Sequence, residues 1–363
     1  MFSERIYNFS AGPSMLPLPV LQQIQQELLN CSGSGMSVME MSHRSSAFDS
    51  IFQDTKSRLR ALLQVPDDYE ILFLQGGAST QFAMVPMNLM GRTGRADYAL
   101  TGNFSTKAYE EAQKFGLCAV ACSSADQNHT YIPQQEALQL DADASYFHYC
   151  ANNSIYGTEW NYVPDTGAVH LVCDMSSNIL SKPVDVSRYG LIYAGAQKNM
   201  APAGVTVVIL RRSLAGSAPE NTPTMLNYAT HIKGDSMYNT PPCWCIYVLG
   251  LVAKWLQEDV GGLSEMARRN EEKAALLYAY LDESHLFHAA VQKAYRSRMN
   301  VTFRTGDRDL DAQFAKEAAA AGLSNLKGHR LVGGMRASLY NAMPIEGVKA
   351  LIDFMARFEK EHI

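Results

Sequence analysis

Short apolar runs with turn residues at their ends recur through much of the chain. They are "EILFLQ" (Glu70–Gln75), "ADYALT" (Ala96–Thr101), "SYFHYC" (Ser145–Cys150), "VHLVCDM" (Val169–Met175), "GLIYAG" (Gly190–Gly195) and "GVTVVIL" (Gly204–Leu210). Runs this short and this apolar fit strands of a sheet covered on both faces. Helical patterns stand between them: "GGASTQFAMVPMNLM" follows the first and "TKAYEEAQKFG" the second. Strand–helix alternation predicts an α/β domain with a largely parallel sheet. From about Gly261–Gly262 the pattern changes. "LSEMARRNEEKAALLYAYL" reads as a long helix, then strand-like "RMNVTF", helical "LDAQFAKEAAAAG", strand-like "GGMRASLY", and a closing amphipathic helix with Pro344 suited to its first turn. The expected organisation is a large domain over 15–260 and a smaller α+β domain over 261–363, with residues 1–14 packing near the latter.

At 363 residues the chain has material for about two domains. Its net charge of −5 provides no basic field for nucleic acid, though it leaves room for a local anion site. "CWCIYVLGLVA" (Cys243–Ala253), the longest apolar run, is well short of a membrane span. "MFSERIYNFSAGPS" has no apolar stretch of the secretory-signal kind. Cys31, Cys118, Cys122, Cys150, Cys173, Cys243 and Cys245 form no CxxC pair or zinc-like spacing. Free, mostly buried thiols in a reducing, cytoplasmic setting are therefore expected, with no membrane, nucleic-acid or metal partner.

"YAGAQKNMAPAGV" (Tyr193–Val205) carries one charged side chain, Lys198, among alanines, glycines and an amide. An exposed turn is the ordinary place for a lysine. A buried one is costly as a cation and has a depressed pKa, which suits it to a Schiff base with a carbonyl cofactor. "LVCDMSS" puts Asp174 at the end of an apolar strand, where open α/β sheets bind ligands, although a cap or turn aspartate is common there too. Together, a lysine for an aldehyde and an acid for a pyridine nitrogen are what pyridoxal phosphate requires. "QGGASTQF" (Gln75–Phe82) follows a strand. Its backbone N–H groups and the Ser79 and Thr80 hydroxyls could hold a phosphate at a helix N-terminus, although an isolated GG is more often an ordinary turn.

Several segments in this order resemble one family. They are "NFSAGPSMLP" (Asn8–Pro17), "SVMEMSHR" (Ser37–Arg44), "GGASTQF", "HYCANNSIYG" (His148–Gly157), "CDMSSNILSKPVDVSRYGLIYAGAQKN" (Cys173–Asn199), "MYNTPP" (Met237–Pro242) and "LKGHRLVGGMRASLYNAMP" (Leu326–Pro344). They are similar to the phosphoserine aminotransferases, homodimeric fold-type I pyridoxal-phosphate enzymes of class V. The resemblance implies a mixed, mostly parallel sheet flanked by helices in the large, cofactor-binding domain, plus the smaller C-terminal α+β domain.

It also implies roles. Lys198 would carry the cofactor as a Schiff base and Asp174 would pair with its ring nitrogen. Phe104 stands where many members stack a tryptophan on the ring, and Ser154 where many have threonine. Ala78, Ser79 and Gln197 would hold the cofactor phosphate, with Asn239 and Thr240 reaching it from the partner subunit. Arg336 would clamp the substrate α-carboxylate with a bidentate fork. His43 and Arg44, with His329 and Arg330, would form a cationic pocket for the substrate's other anionic group. Many bacterial members have arginine at the place of Ser79; here the phosphate would depend more on amides and hydroxyls.

The implied reaction passes the amino group of L-glutamate to 3-phosphohydroxypyruvate, giving 2-oxoglutarate and O-phospho-L-serine by ping-pong kinetics, in serine biosynthesis. Some members also act on a related keto acid, 3-hydroxy-2-oxo-4-phosphooxybutanoate, in vitamin B6 synthesis. The alternatives are a serine–pyruvate-type aminotransferase, a cysteine desulfurase, or a non-catalytic protein that keeps the fold. A desulfurase needs a mobile cysteine, which Cys243 and Cys245 in their apolar run do not offer.

Overall fold

The computed structural model describes residues 5–363. In chain order its strands and α-helices are β1 (Tyr7–Asn8), α1 (Leu18–Glu27), α2 (Ser46–Leu63), β2 (Tyr69–Leu74), α3 (Gly77–Leu89), β3 (Arg95–Leu100), α4 (Asn103–Ala112) and β4 (Leu117–Ser123). There follow β5 (Tyr146–Cys150), β6 (His170–Asp174), β7 (Leu191–Gly195), β8 (Thr206–Arg211), α5 (Tyr228–Lys233), α6 (Cys243–Trp255) and α7 (Leu263–Glu283). The chain closes with β9 (His288–Ala289), β10 (Asn300–Arg304), α8 (Arg308–Ala320), β11 (Leu323–Ser324), β12 (Met335–Ser338) and α9 (Ile345–His362).

All six apolar runs become strands of one seven-stranded sheet, ordered β2-β8-β7-β6-β5-β3-β4. Pairs from β4 through β7 are parallel, while β8 is antiparallel to both β7 and β2. The ten residues between Gly195 and Thr206 explain that reversal: they are too few for a parallel crossover with its helix, so β8 must return beside β7. Side-chain alternation then builds two cores. Ile71, Phe73, Leu171, Cys173, Ile192, Val207 and Ile209 face the layer that includes Phe52 and Ile246. Leu72, Leu74, Val172, Leu191, Val208 and Leu210 face Met84, Val85 and Ala108 on the other side. The apolar run at 243 is α6, a core helix packed along α2. Among the described residues no helix is long and apolar enough to cross a membrane.

Beyond α7, β9, β10 and β12 form an antiparallel sheet, and β1 pairs with β11. Phe287, Phe303, Phe314 and Phe358 make its aromatic centre, and Phe9 from the N-terminal segment is buried in the same cluster. Pro344 stands one place earlier than the sequence suggests, as the N-cap of α9 with an extended ψ of 156°.

One buried cation braces this half of the chain. Lys273 on α7 is 2% exposed, and its ammonium donates to the carbonyls of Leu339 (3.0 Å), Tyr340 (2.8 Å) and Met343 (3.0 Å). The loop it grips carries Tyr340, whose hydroxyl donates to the Ala11 carbonyl, and Asn341, whose N–H donates to the Asn199 side chain beside Lys198. Lys273→Met should therefore cost about 3 kcal/mol, since it leaves buried carbonyls unpaired. Thermal unfolding checks this; an unchanged midpoint would show that the grip is dispensable.

Candidate active site

Lys198 sits in the loop between β7 and β8, which its neighbours hold from several sides. Asn199 donates to the Ile179 carbonyl (2.6 Å) and accepts from the Asn341 N–H (2.9 Å). Ser14 contributes its N–H to the Gln197 carbonyl (3.0 Å) and its hydroxyl to the Lys198 carbonyl. Gly12, at φ +140°, lies so close that an added Cβ would be 3.3 Å from the Lys198 side chain. Only glycine suits both that backbone angle and that approach. Gly12→Ala should displace the lysine's stem and weaken cofactor retention several-fold on dialysis, an order-of-magnitude expectation from one strained residue.

The lysine's ammonium donates to the Ser154 hydroxyl (3.1 Å) and lies 5.1 Å from the centre of the Phe104 ring. Burial lowers its pKa, and the Arg336 charge acts in the same direction; Asp174 and Cys150 pull it upward. Asp174 ends β6, buried, and accepts the Ser176 N–H (2.8 Å). Burial raises its pKa, while hydrogen bonding from Ser176, the Lys198 charge and the Tyr193 hydroxyl restrain the rise. Ser176 also accepts the Gly195 N–H (3.0 Å), so the turns that carry Asp174 and Lys198 are tied together.

Lys198 and Asp174 open on one cavity of about 150 Å³. Gly77, Ala78 and Ser79 at the N-terminus of α3, Phe104, Cys150, Asn152, Asn153 and Gln197 also line it. Gly76 and Gly77 take φ of +92° and +63°, a turn that aims the first N–H groups of the 13-residue α3 into this space. Those amides and the helix dipole suit an anion. An amine with a depressed pKa, a buried carboxylate, an aromatic face and a helix N-terminus thus converge on one space. This donor set fits pyridoxal phosphate: Ala78, Ser79 and Gln197 would hold its phosphate, Phe104 would face its ring, Asp174 would meet its ring nitrogen and Lys198 its aldehyde.

Arg336, on β12, donates to the Ser154 carbonyl (2.8 Å), so it reaches Lys198's immediate surroundings from the smaller sheet. His329 lies near it: burial lowers the His329 pKa, and the charges of Arg336, Arg330 and Lys107 lower it further. Arg330 is exposed. The structure therefore gathers Lys198, Asp174, Ala78, Ser79, Phe104, Ser154, Gln197 and Arg336, with His329 and Arg330 near them. It does not bring His43, Arg44, Asn239 or Thr240 to the cavity within one protomer. Among the described residues no hydrogen bond or ion pair links those four to the cavity residues; His43 has a buried, unpartnered Nε2, and Arg44, Asn239 and Thr240 are exposed. Sequence reasoning missed Asn152, Asn153 and Ser176. Their signal was present, since all flank the ends of apolar strands on the side where Lys198 and Asp174 lie.

The geometry argues against a cysteine nucleophile. Cys150 is buried in the cavity wall with its pKa raised well above the thiol range by desolvation. Cys243 and Cys245 are fixed on α6.

The model of class-V aminotransferases matches residues 6–351. A phosphoserine aminotransferase of Bacillus cereus is 54% identical over 359 residues, covering 99% of each chain. The structure of the phosphoserine aminotransferase of Bacillus circulans subsp. alkalophilus superposes with a TM-score of 0.97 at 45% identity, over 99% of this chain and 100% of that one. That of Trichomonas vaginalis, solved with PLP bound, gives 0.93 at 39% identity over 97% and 100%. Matched from end to end in both sequence and backbone, the chain belongs to the class-V aminotransferase family, among its phosphoserine aminotransferases.

Proposed function

We propose that the protein transfers the amino group of L-glutamate to 3-phosphohydroxypyruvate, with pyridoxal phosphate as cofactor, yielding 2-oxoglutarate and O-phospho-L-serine. The observation that carries this reading is one amine, Lys198, held beside a buried carboxylate and next to an arginine and histidine cluster. When bound, the cofactor supplies a sink for the electron pair left as a proton leaves the substrate's α-carbon.

The chain's residues do the rest. Arg336 binds the α-carboxylate and sets the α-carbon's orientation. Lys198 is the base that takes the α-proton; burial and the Arg336 charge favour its unprotonated form. Asp174, kept dry and held by the Ser176 N–H, presents a fixed negative charge to the ring nitrogen. His329 and Arg330 meet the tail of either substrate, a carboxylate in glutamate and a phosphate in phosphoserine. One pocket serving two substrates in turn requires the first product to leave before the second substrate binds, so kinetics are ping-pong.

A homodimer fits the exposure of Asn239 and Thr240, which would complete a site in the second copy; His43 and Arg44 would join the cationic pocket by the same assembly. The product places the reaction in serine biosynthesis, and a cytoplasmic setting suits seven free cysteines. A serine–pyruvate-type aminotransferase has no need of a cationic cluster at its mouth.

The test is a half-reaction followed by the absorbance of the bound cofactor. O-phospho-L-serine without any keto acid should convert it fully, while L-serine and L-alanine at equal concentration leave it unchanged. Equal conversion by L-alanine would overturn the substrate assignment.

A further inference from the structure

A second lysine stands beside a residue of the cavity wall, on a helix that the roles above leave almost unused. Phe104 lines the cavity, and Lys107 lies three residues further along α4, hence on the same helix face. The Lys107 ammonium is 6.0 Å from the Phe104 ring centre, and the Lys198 ammonium is 5.1 Å from the same centre. The exposed Lys107 thus shares with the catalytic amine the surroundings of one ring. Its charge also bears on His329, as do those of Arg330 and Arg336. Three elements therefore direct positive groups at one region: α4, the loop at 329–330, and β12.

Among the described residues, Lys107, Arg330 and Arg336 form no ion pair with a carboxylate. Elsewhere clustered cations have acids between them: Arg268 and Arg269 share Glu265, and Lys293 and Arg296 share Asp282. Like charges gathered without a counter-charge repel one another, and a ligand anion offsets that repulsion.

We propose that Lys107 is a specificity-determining residue whose ammonium, beside His329 and Arg330, favours a doubly charged phosphate tail over a single carboxylate. The inference rests on the transamination reading above. Arg336 is committed to the α-carboxylate, so the tail meets the outer cations. A phosphate carries −1.5 to −2 charges at neutral pH, roughly twice the charge of the glutamate side chain. Coulomb energy is proportional to that charge. If losing Lys107 weakens a carboxylate tail by some factor, it weakens a phosphate tail by about the square of that factor.

The experiment compares Lys107→Gln and Lys107→Arg with the wild-type holoenzyme on O-phospho-L-serine and L-glutamate. Lys107→Gln should raise KM about fivefold for phosphoserine and about twofold for glutamate, with kcat within about twofold, the scale of one exposed charge. Lys107→Arg should restore most of both. The dissociation constant of inorganic phosphate, measured by calorimetry on the same holoenzymes, should rise in Lys107→Gln and not in Lys107→Arg. Equal losses on the two substrates, a loss confined to kcat, or unchanged KM values would overturn the proposal and leave the aminotransferase reading standing. A wild-type enzyme that does not turn over phosphoserine would overturn both, and would do so before any variant is made.

Discussion

Replacing Lys198 by alanine should abolish turnover, with a fall on the order of 10⁴-fold or more, the upper range for loss of a positioned general base. The structure offers no substitute. The groups that share the cavity are amides, hydroxyls, the buried Asp174 and a Cys150 thiol whose pKa desolvation raises. Lys107 does not line the cavity and Arg336 carries a fixed charge, so neither can take the α-proton. The fold should survive. Lys198 is a cost to the cofactor-free protein, because burial disfavours its ammonium, and its neighbours are braced by Asn199 and Ser14 rather than by its side chain. The thermal midpoint of cofactor-free Lys198→Ala should equal or exceed that of the parent. A small primary amine added to the solution should recover a measurable fraction of the activity, since it can fill the vacated space and accept the proton. Turnover at the parental rate would remove Lys198 from the mechanism; failure to fold would make it a structural residue.

Much of this site was legible in the sequence because its signals are local. Lys198 is conspicuous as one charge among small residues, and Asp174 as a carboxylate ending an apolar strand; the sheet places both at the C-terminal ends of two adjacent parallel strands. The glycine pair that opens α3 reads by itself more readily as an ordinary turn than as a phosphate turn, and φ of +92° and +63° explain why both positions are glycine. What stayed hidden depends on contacts between distant elements. The reversal of β8 follows from a short connection, but the six apolar runs look alike whether a strand is parallel or antiparallel. Strand β4 escaped notice because it is an edge strand with Leu117 and Val120 exposed, so its pattern is not that of a covered strand. Lys107 sits in a helix of mixed polarity where a lysine is unremarkable until the fold sets its ammonium near the Phe104 ring that lines the cavity. His43–Arg44 and His329–Arg330 read alike as dipeptides, yet only the second is near Arg336 in one protomer.

Asp174→Asn should lower kcat by about 10²–10³, the scale on which a preorganised charge in a dry site acts. Asparagine has nearly the same shape and its side-chain oxygen can still accept the Ser176 N–H, now at 2.8 Å from Asp174. Packing is therefore kept, and what disappears is the negative charge that would face the ring nitrogen. A second consequence follows at Lys198 and does not require activity to be seen. The Asp174 charge raises the Lys198 pKa, against burial and Arg336, which lower it. Removing that charge removes the raising influence, so the amine must lose its proton at a lower pH than in the parent. In cofactor-stripped protein, labelling of Lys198 by an amine-specific acylating reagent tracks the unprotonated fraction. Its midpoint should move toward acid in Asp174→Asn, with faster labelling below the parental midpoint and equal labelling well above it. A midpoint that stays put or moves toward base would mean that the two residues are not coupled through space. The buried carboxylate would then act on the ring nitrogen alone, and the basicity of Lys198 would be set by burial and Arg336.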